Sequence, residues 1–174
     1  IPSLAIFGGG LLPVHVGGQR SSAYALGTRY VHLLSERVGI AIGAIGARSI
    51  GERSSDTTTI TLAAPFICAT LRFGNARLTA GYGYAFKEHL STSQRFRADT
   101  PVFSLGGDYQ FAEQWKLAAD IFHLSTVESL PIAVAARYFG ERFSLEGGIV
   151  VGVPTASSER FFAVPLLSAF WMFR

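Results

Sequence analysis

The sequence contains no long hydrophobic run. No stretch reaches the roughly 18 to 20 uninterrupted apolar residues that a membrane-spanning helix needs, because Gly, Pro or a charge breaks every candidate within a few residues. Charge is scarce as well: charged residues make up 16% of the 174, against about 25% in ordinary soluble domains. The formal charge of +3 is scattered rather than gathered into a stripe, which argues against nucleic acid as a partner. A single cysteine, Cys68, excludes an intrachain disulfide framework, and a lone thiol is ordinarily a small buried hydrophobe. No secretory signal is visible and the chain begins at Ile1 without methionine, the pattern of a processed or trimmed chain.

What the chain does have is apolar content without helical character. Hydrophobic residues make up 49% and mean hydropathy is +0.32. Nineteen glycines and fourteen phenylalanines lean towards β structure, since Gly weakens helices and aromatic side chains favour strands. Turn signals recur from end to end. They separate runs longer than the ~5–6 residues of a sandwich strand and close to the ~9–11 residues, plus overhang, of a tilted strand crossing a bilayer.

The runs predict strands over 3–16, 22–34, 38–49, 57–73, 77–89, 101–112, 115–126, 130–140, 143–154 and 160–173. The second, fourth, sixth and eighth connections are tight: Ser35-Glu36-Arg37, Gly74-Asn75-Ala76, Glu113-Gln114 and Glu141-Arg142. Most odd-numbered connections read as longer and more polar, as at Gly51 to Asp56 and Glu88 to Thr100, although Gly17 to Ser21 is short. Short turns on one rim and longer loops on the other mark outer-membrane barrels. The expectation is one domain over residues 1–174, an all-β, single antiparallel up-and-down transmembrane β-barrel of about ten strands. It would sit in the lipid of a bacterial outer membrane with both termini periplasmic.

Period-two alternation supports this reading. Phe143, Leu145, Ile149, Val151 and Val153 share a face opposite Ser144, Glu146, Gly148 and Gly152. Leu78, Ala80, Tyr82, Tyr84 and Phe86 oppose Thr79, Gly81, Gly83 and Ala85, and Phe103, Leu105, Tyr109 and Phe111 oppose Ser104, Gly106, Asp108 and Gln110. Large apolar groups would face lipid and small or polar groups the lumen, leaving a narrow barrel filled by its own side chains. Aromatics gather near strand ends, among them Trp115, Tyr138, Phe139, Phe143, Trp171 and Phe173, as at membrane interfaces.

Alternation also places charges inside: Asp108, Lys116, Asp120, Arg137 and Glu146, with Arg29 further round the wall. If Glu141-Arg142 is a two-residue turn, Arg137 falls directly opposite Glu146, which suits a cross-strand ion pair. The set reads as a salt-bridge network that fixes register, because buried charge is tolerated only when paired. Its alternatives are a charged binding site or constriction and a catalytic carboxylate pair. His123 and Ser125 share a face two residues apart, as a base and nucleophile require, with Glu128 nearby; the simpler reading is polar groups at a strand end. His15, His32 and His89 stand at no metal-ligand spacing, and no metal or other cofactor is expected. Gly8-Gly9-Gly10 lacks the Lys and Ser/Thr of a phosphate loop and reads as a site of close packing.

Two resemblances follow from these residues. His123-Leu124-Ser125 resembles the His-x-Ser spacing of the outer-membrane lipid A deacylases, but that motif continues with Asn where this chain has Thr126. The segment from Leu130 to Gly148 resembles a group of uncharacterised outer-membrane β-barrel proteins of Bacteroidota and related phyla. Their penultimate hairpin reads roughly Gly-hydrophobic-Arg-Phe-Phe-Gly, a short turn, then hydrophobic-x-Asp-hydrophobic-Gly. Arg137 and Glu146 hold the paired-charge positions, with Glu for Asp. Ala80 to Tyr84 and the Pro-and-aromatic pattern of Pro165 to Phe173 also fit. The resemblance implies a barrel and no activity. The expected role is structural, a scaffold or anchor of an assembly with other membrane subunits as candidate partners, and not enzymatic. The alternatives are a narrow channel or lumenal small-solute binder, and a lipid hydrolase using His123 and Ser125.

Overall fold

The computed structural model describes residues 3–16, 19–53, 56–90, 95–124, 129–154 and 162–173 (backbone only at 11–16, 19–21, 52–53, 56, 95–96, 98, 124, 129, 154 and 162). Its strands are β1 (Ser3–Val16), β2 (Gln19–Leu33), β3 (Val38–Arg53), β4 (Asp56–Phe73), β5 (Ala76–Leu90), β6 (Arg95–Ala112), β7 (Trp115–Leu124), β8 (Ser129–Phe139), β9 (Phe143–Pro154) and β10 (Phe162–Phe173). Each pairs antiparallel with its neighbour in sequence, and β1 pairs with β10, so the sheet is a closed barrel. Closure removes both free edges.

Register fixes which side chains share a face. Arg137 opposes Glu146, Ala135 opposes Gly148, and Ser168 opposes Glu146 in turn. Every buried residue among those described lies on that inward face, from Ala5, Ala41, Ala64 and Ala85 to Ala118, Ala133, Ala135, Thr100, Ser144 and Glu146. The large apolar residues that remain exposed lie outward, as at Leu26, Ile42, Ile67, Tyr82, Phe103, Leu117, Leu145 and Leu167. The exceptions are Leu33 and Leu34 at a rim and Phe122, which faces the lumen. The barrel is thus inside out relative to a soluble domain, with its apolar surface presented to the surroundings.

The tight connections hold as expected. Ser35 Oγ accepts hydrogen bonds from the backbone amides of Arg37 and Val38 at 3.3 and 3.1 Å. Gly74 adopts φ +57° at the head of the β4–β5 turn, a conformation that glycine reaches without strain. Gly140 N donates to Phe143 O at 2.7 Å across the β8–β9 turn.

The connections at the opposite end differ from expectation. Glu88 to Thr100 does not form a loop: β5 runs to Leu90, β6 starts at Arg95, and Glu88 pairs with Arg97 in register. Likewise most of Gly51 to Asp56 belongs to β3 and β4. Polar residues there extend hairpins instead of leaving them. Strands β1 to β6 therefore have 14 to 18 residues, whereas β7 to β10 have 10 to 12.

Inside, the wall is not lined by small residues alone. Phe7 and Phe170 stack with ring centroids 5.8 Å apart. The Phe7 ring lies against Gly27 and the Phe66 ring against Gly43: a Cβ on Gly27 would sit 2.7 Å from Phe7 Cε2, and one on Gly43 2.6 Å from Phe66 Cζ. Glycine is required on β2 and β3 because aromatic rings from β1 and β4 occupy the space. Gly9, within the Gly8-Gly9-Gly10 run, is held equally close to Ser168, where a Cβ would meet Ser168 Cβ at 2.6 Å.

Gly27→Val is expected to destabilise the barrel by about 1–3 kcal/mol through overpacking. Gly46→Val, outward and 3.9 Å from its nearest contact, should be near neutral. Urea unfolding of both variants in detergent micelles checks the difference.

Candidate functional site in the lumen

The charged residues predicted inside do converge, at the end of the barrel that carries Ser3, Phe173 and the even-numbered turns. Arg137 Nε donates to Glu146 Oε2 at 2.6 Å, a second contact runs from Nη2 to the same oxygen, and Ser168 Oγ donates to Oε1 at 3.3 Å. The Glu146 side chain is only 9% exposed, so two hydrogen bonds and the ion pair stand in for lost water. The pair needs only the local turn, because Gly140 to Arg142 sets β8 against β9 with Arg137 opposite Glu146.

A second pair was not anticipated. Arg77 grips Asp108 with three contacts, Nε to Oδ1 and Oδ2 at 2.9 and 3.0 Å and Nη2 to Oδ2 at 2.6 Å. Lys116 Nζ lies 3.7 Å from Asp108 Oδ1 and 4.6 Å above the Phe139 ring. Register explains the pattern. Lys116 stands opposite Arg137, and Arg72 opposite Arg77, and like charges face to face repel. Each pair is relieved sideways: Lys116 leans to Asp108, Arg137 to Glu146, and Arg77 to Asp108.

Two predicted members behave differently. Arg29 joins by stacking, not by pairing: its guanidinium carbon lies 5.8 Å from the centroid of the Phe170 ring, which also carries Arg137 at 4.7 Å. Its Nε is buried without a hydrogen-bond partner. Asp120 folds over Gly106, with Cγ 2.8 Å from where a Cβ would be, and has no ion pair among the described residues. Arg29 and Asp120 both line a cavity of about 310 Å³ that extends to Glu36 and Arg37 in the β2–β3 turn. A second cavity of about 240 Å³ shares Arg72, Arg77 and Asp108 with it and reaches Lys116. The interior is therefore not filled throughout, as the alternation suggests; it holds a charged vestibule at this end.

Outward aromatic rings cluster at the same end of the barrel. Trp115 and Tyr138 meet edge to face at 5.4 Å, Phe143 and Trp171 lie 6.0 Å apart, and Phe173 continues the outward row. Phe139 does not belong to it, since it faces inward beneath Lys116. His123 is exposed on the outward face of β7, beside Phe103, while Ser125 and Glu128 lie outside the described residues. Among the described residues no three His, Cys, Asp or Glu side chains form a group that could hold a metal ion.

No family model matches the chain, and no curated protein matches it. Solved structures do. The translocator domain of autotransporter NalP from Neisseria meningitidis aligns with a TM-score of 0.58 at 11% identity, over 99% of this chain and 88% of that one. The KdgM porin aligns with a TM-score of 0.50 at 11% identity, over 99% of each chain. The likeness is one of fold: a closed, antiparallel transmembrane β-barrel of the outer-membrane type.

Glu146→Ala is expected to cost about 3–5 kcal/mol by stranding Arg137. The double variant Arg137→Met/Glu146→Leu should recover most of that loss, because it removes both charges together. Unfolding midpoints in micelles, read by tryptophan fluorescence, give the comparison.

Proposed function

We propose that this outer-membrane-type barrel has a structural role, anchoring or scaffolding an assembly in the outer membrane instead of passing solutes. The observation that carries the reading is the group of inward rings Phe7, Phe66 and Phe170, of which Phe7 and Phe66 pack onto Gly27 and Gly43 of the adjacent strands. Further along the inward wall Ala64, Ala85 and Ala133 are buried, with the buried Thr100 opposite Ala85. The outward apolar surface supports residence in lipid. The connections between strands are short, which favours action through other subunits of a membrane assembly over independent action.

In this reading the termini and the even-numbered turns face the periplasm. Ten antiparallel strands put both termini on one end, the end at which the tight turns lie.

Two measurements test the proposal. In planar bilayers the wild-type barrel should show no stepwise single-channel conductance; regular steps would overturn a closed structural role. For orientation, Asn75→Cys in a Cys68→Ala background should react with a membrane-impermeant maleimide only after the outer membrane is permeabilised. Labelling on intact cells would reverse the assigned direction.

A further inference from the structure

The charge pairs of the vestibule do not balance. Six basic side chains (Arg29, Arg37, Arg72, Arg77, Lys116 and Arg137) stand around or beside it. The acids are Glu36, Asp108, Asp120 and Glu146. Once Arg77 and Lys116 share Asp108 and Arg137 holds Glu146, the cations Arg29, Arg37 and Arg72 have no ion-pair partner among the described residues, against the two carboxylates Glu36 and Asp120 that likewise have none. Arg29 is set deep in the wall, where a cation without a partner is costly. A low-dielectric cleft with excess charge of one sign concentrates ions of the other. The wall also offers the hydroxyls of Thr70 and Thr79, 2.9 Å apart.

We propose that the vestibule is a blind binding pocket for a small multivalent oxyanion, bearing carboxylate or phosphate groups, that inserts between Arg29 and Arg72. Its floor is the group of inward rings: Arg29 rests against Phe170, the Phe66 ring covers Gly43, the residue paired with Arg29, and the Phe7 ring covers Gly27 one inward step further along β2. Its mouth is the rim at Arg37 and Arg72, where Arg72 N donates to Arg37 O at 2.8 Å. A cavity of about 310 Å³ accepts a compact polyanion and not a folded chain. Binding here is separate from the structural role, because a barrel that conducts nothing can still hold a ligand at its mouth.

Calorimetric titration of citrate and of inorganic phosphate into the folded barrel, in neutral detergent at low salt, tests the pocket. Saturable one-to-one binding of at least one of the two is expected, weakening as salt rises. The variant Arg29→Gln/Arg72→Gln should bind about tenfold or more weakly, a loss of about 1.4 kcal/mol or more. Arg48→Gln, whose cation points outward, should bind as wild type does. Neither Arg29 nor Arg72 is in an ion pair among the described residues, so the double variant should keep the wild-type circular dichroism spectrum; if it misfolds, Arg72→Gln alone at the exposed rim gives the same comparison. Tighter citrate assigns carboxylate ligands and tighter phosphate assigns phosphate ligands. No saturable binding of either anion by the wild type, or equal binding by the arginine variants, overturns the proposal.

Discussion

Everything in this barrel follows from the pairing of β1 with β10. A bilayer core has no water to satisfy a free strand edge, so a sheet can cross it only when closed. Closure then dictates the rest. Once Leu4 faces Phe173 and Gly9 faces Ser168, every strand has two partners and every side chain has an assigned face. Large apolar residues must go outward into lipid, and whatever is polar must be satisfied inside a tube with little room. The ion pairs, the glycines and the inward aromatic rings are answers to that one demand.

The interior divides along its length. At the end carrying the termini it is charged, with carboxylates on flanking strands beside cations that register sets against each other. Deeper in, aromatic rings close over glycines, and beyond them buried alanines alternate with isolated polar groups such as Thr100. A uniform water-filled channel would need polar groups along its full height. Here the inward ion pairs among the described residues gather at one end, with inward rings beside them, which is why a structural role fits the barrel body while a binding role fits its mouth.

Much of the fold was legible because barrel signals are local. Alternation from Phe143 to Val153 needs only neighbouring residues, and the Arg137–Glu146 pair needs only a correct turn at Glu141-Arg142. The Arg77–Asp108 pair was not legible in the same way, because it joins β5 to β6 across a long connection whose register no short turn fixes. The inward rings were missed for a different reason. Sorting large residues outward and small ones inward is sound on average, and Phe7, Phe66 and Phe170 break it. The signal that could have exposed them is Gly27 and Gly43 on adjacent strands, two gaps in the wall that ask for something large opposite. Glu88 to Thr100 looked like a loop because it is polar, yet polarity marks exposure and not the absence of pairing: Glu88 and Arg97 form a cross-strand pair at 3.4 Å.

The most direct test of the account is amide hydrogen exchange of the barrel in lipid vesicles, read strand by strand. Closure predicts that the β1–β10 seam, from Leu4 to Leu11 against Leu166 to Phe173, is protected as strongly as interior pairs such as β3–β4. Rapid exchange confined to that seam would mean an open sheet with two free edges. The assignment of faces, the buried charge pairs and the vestibule would then lose their common basis.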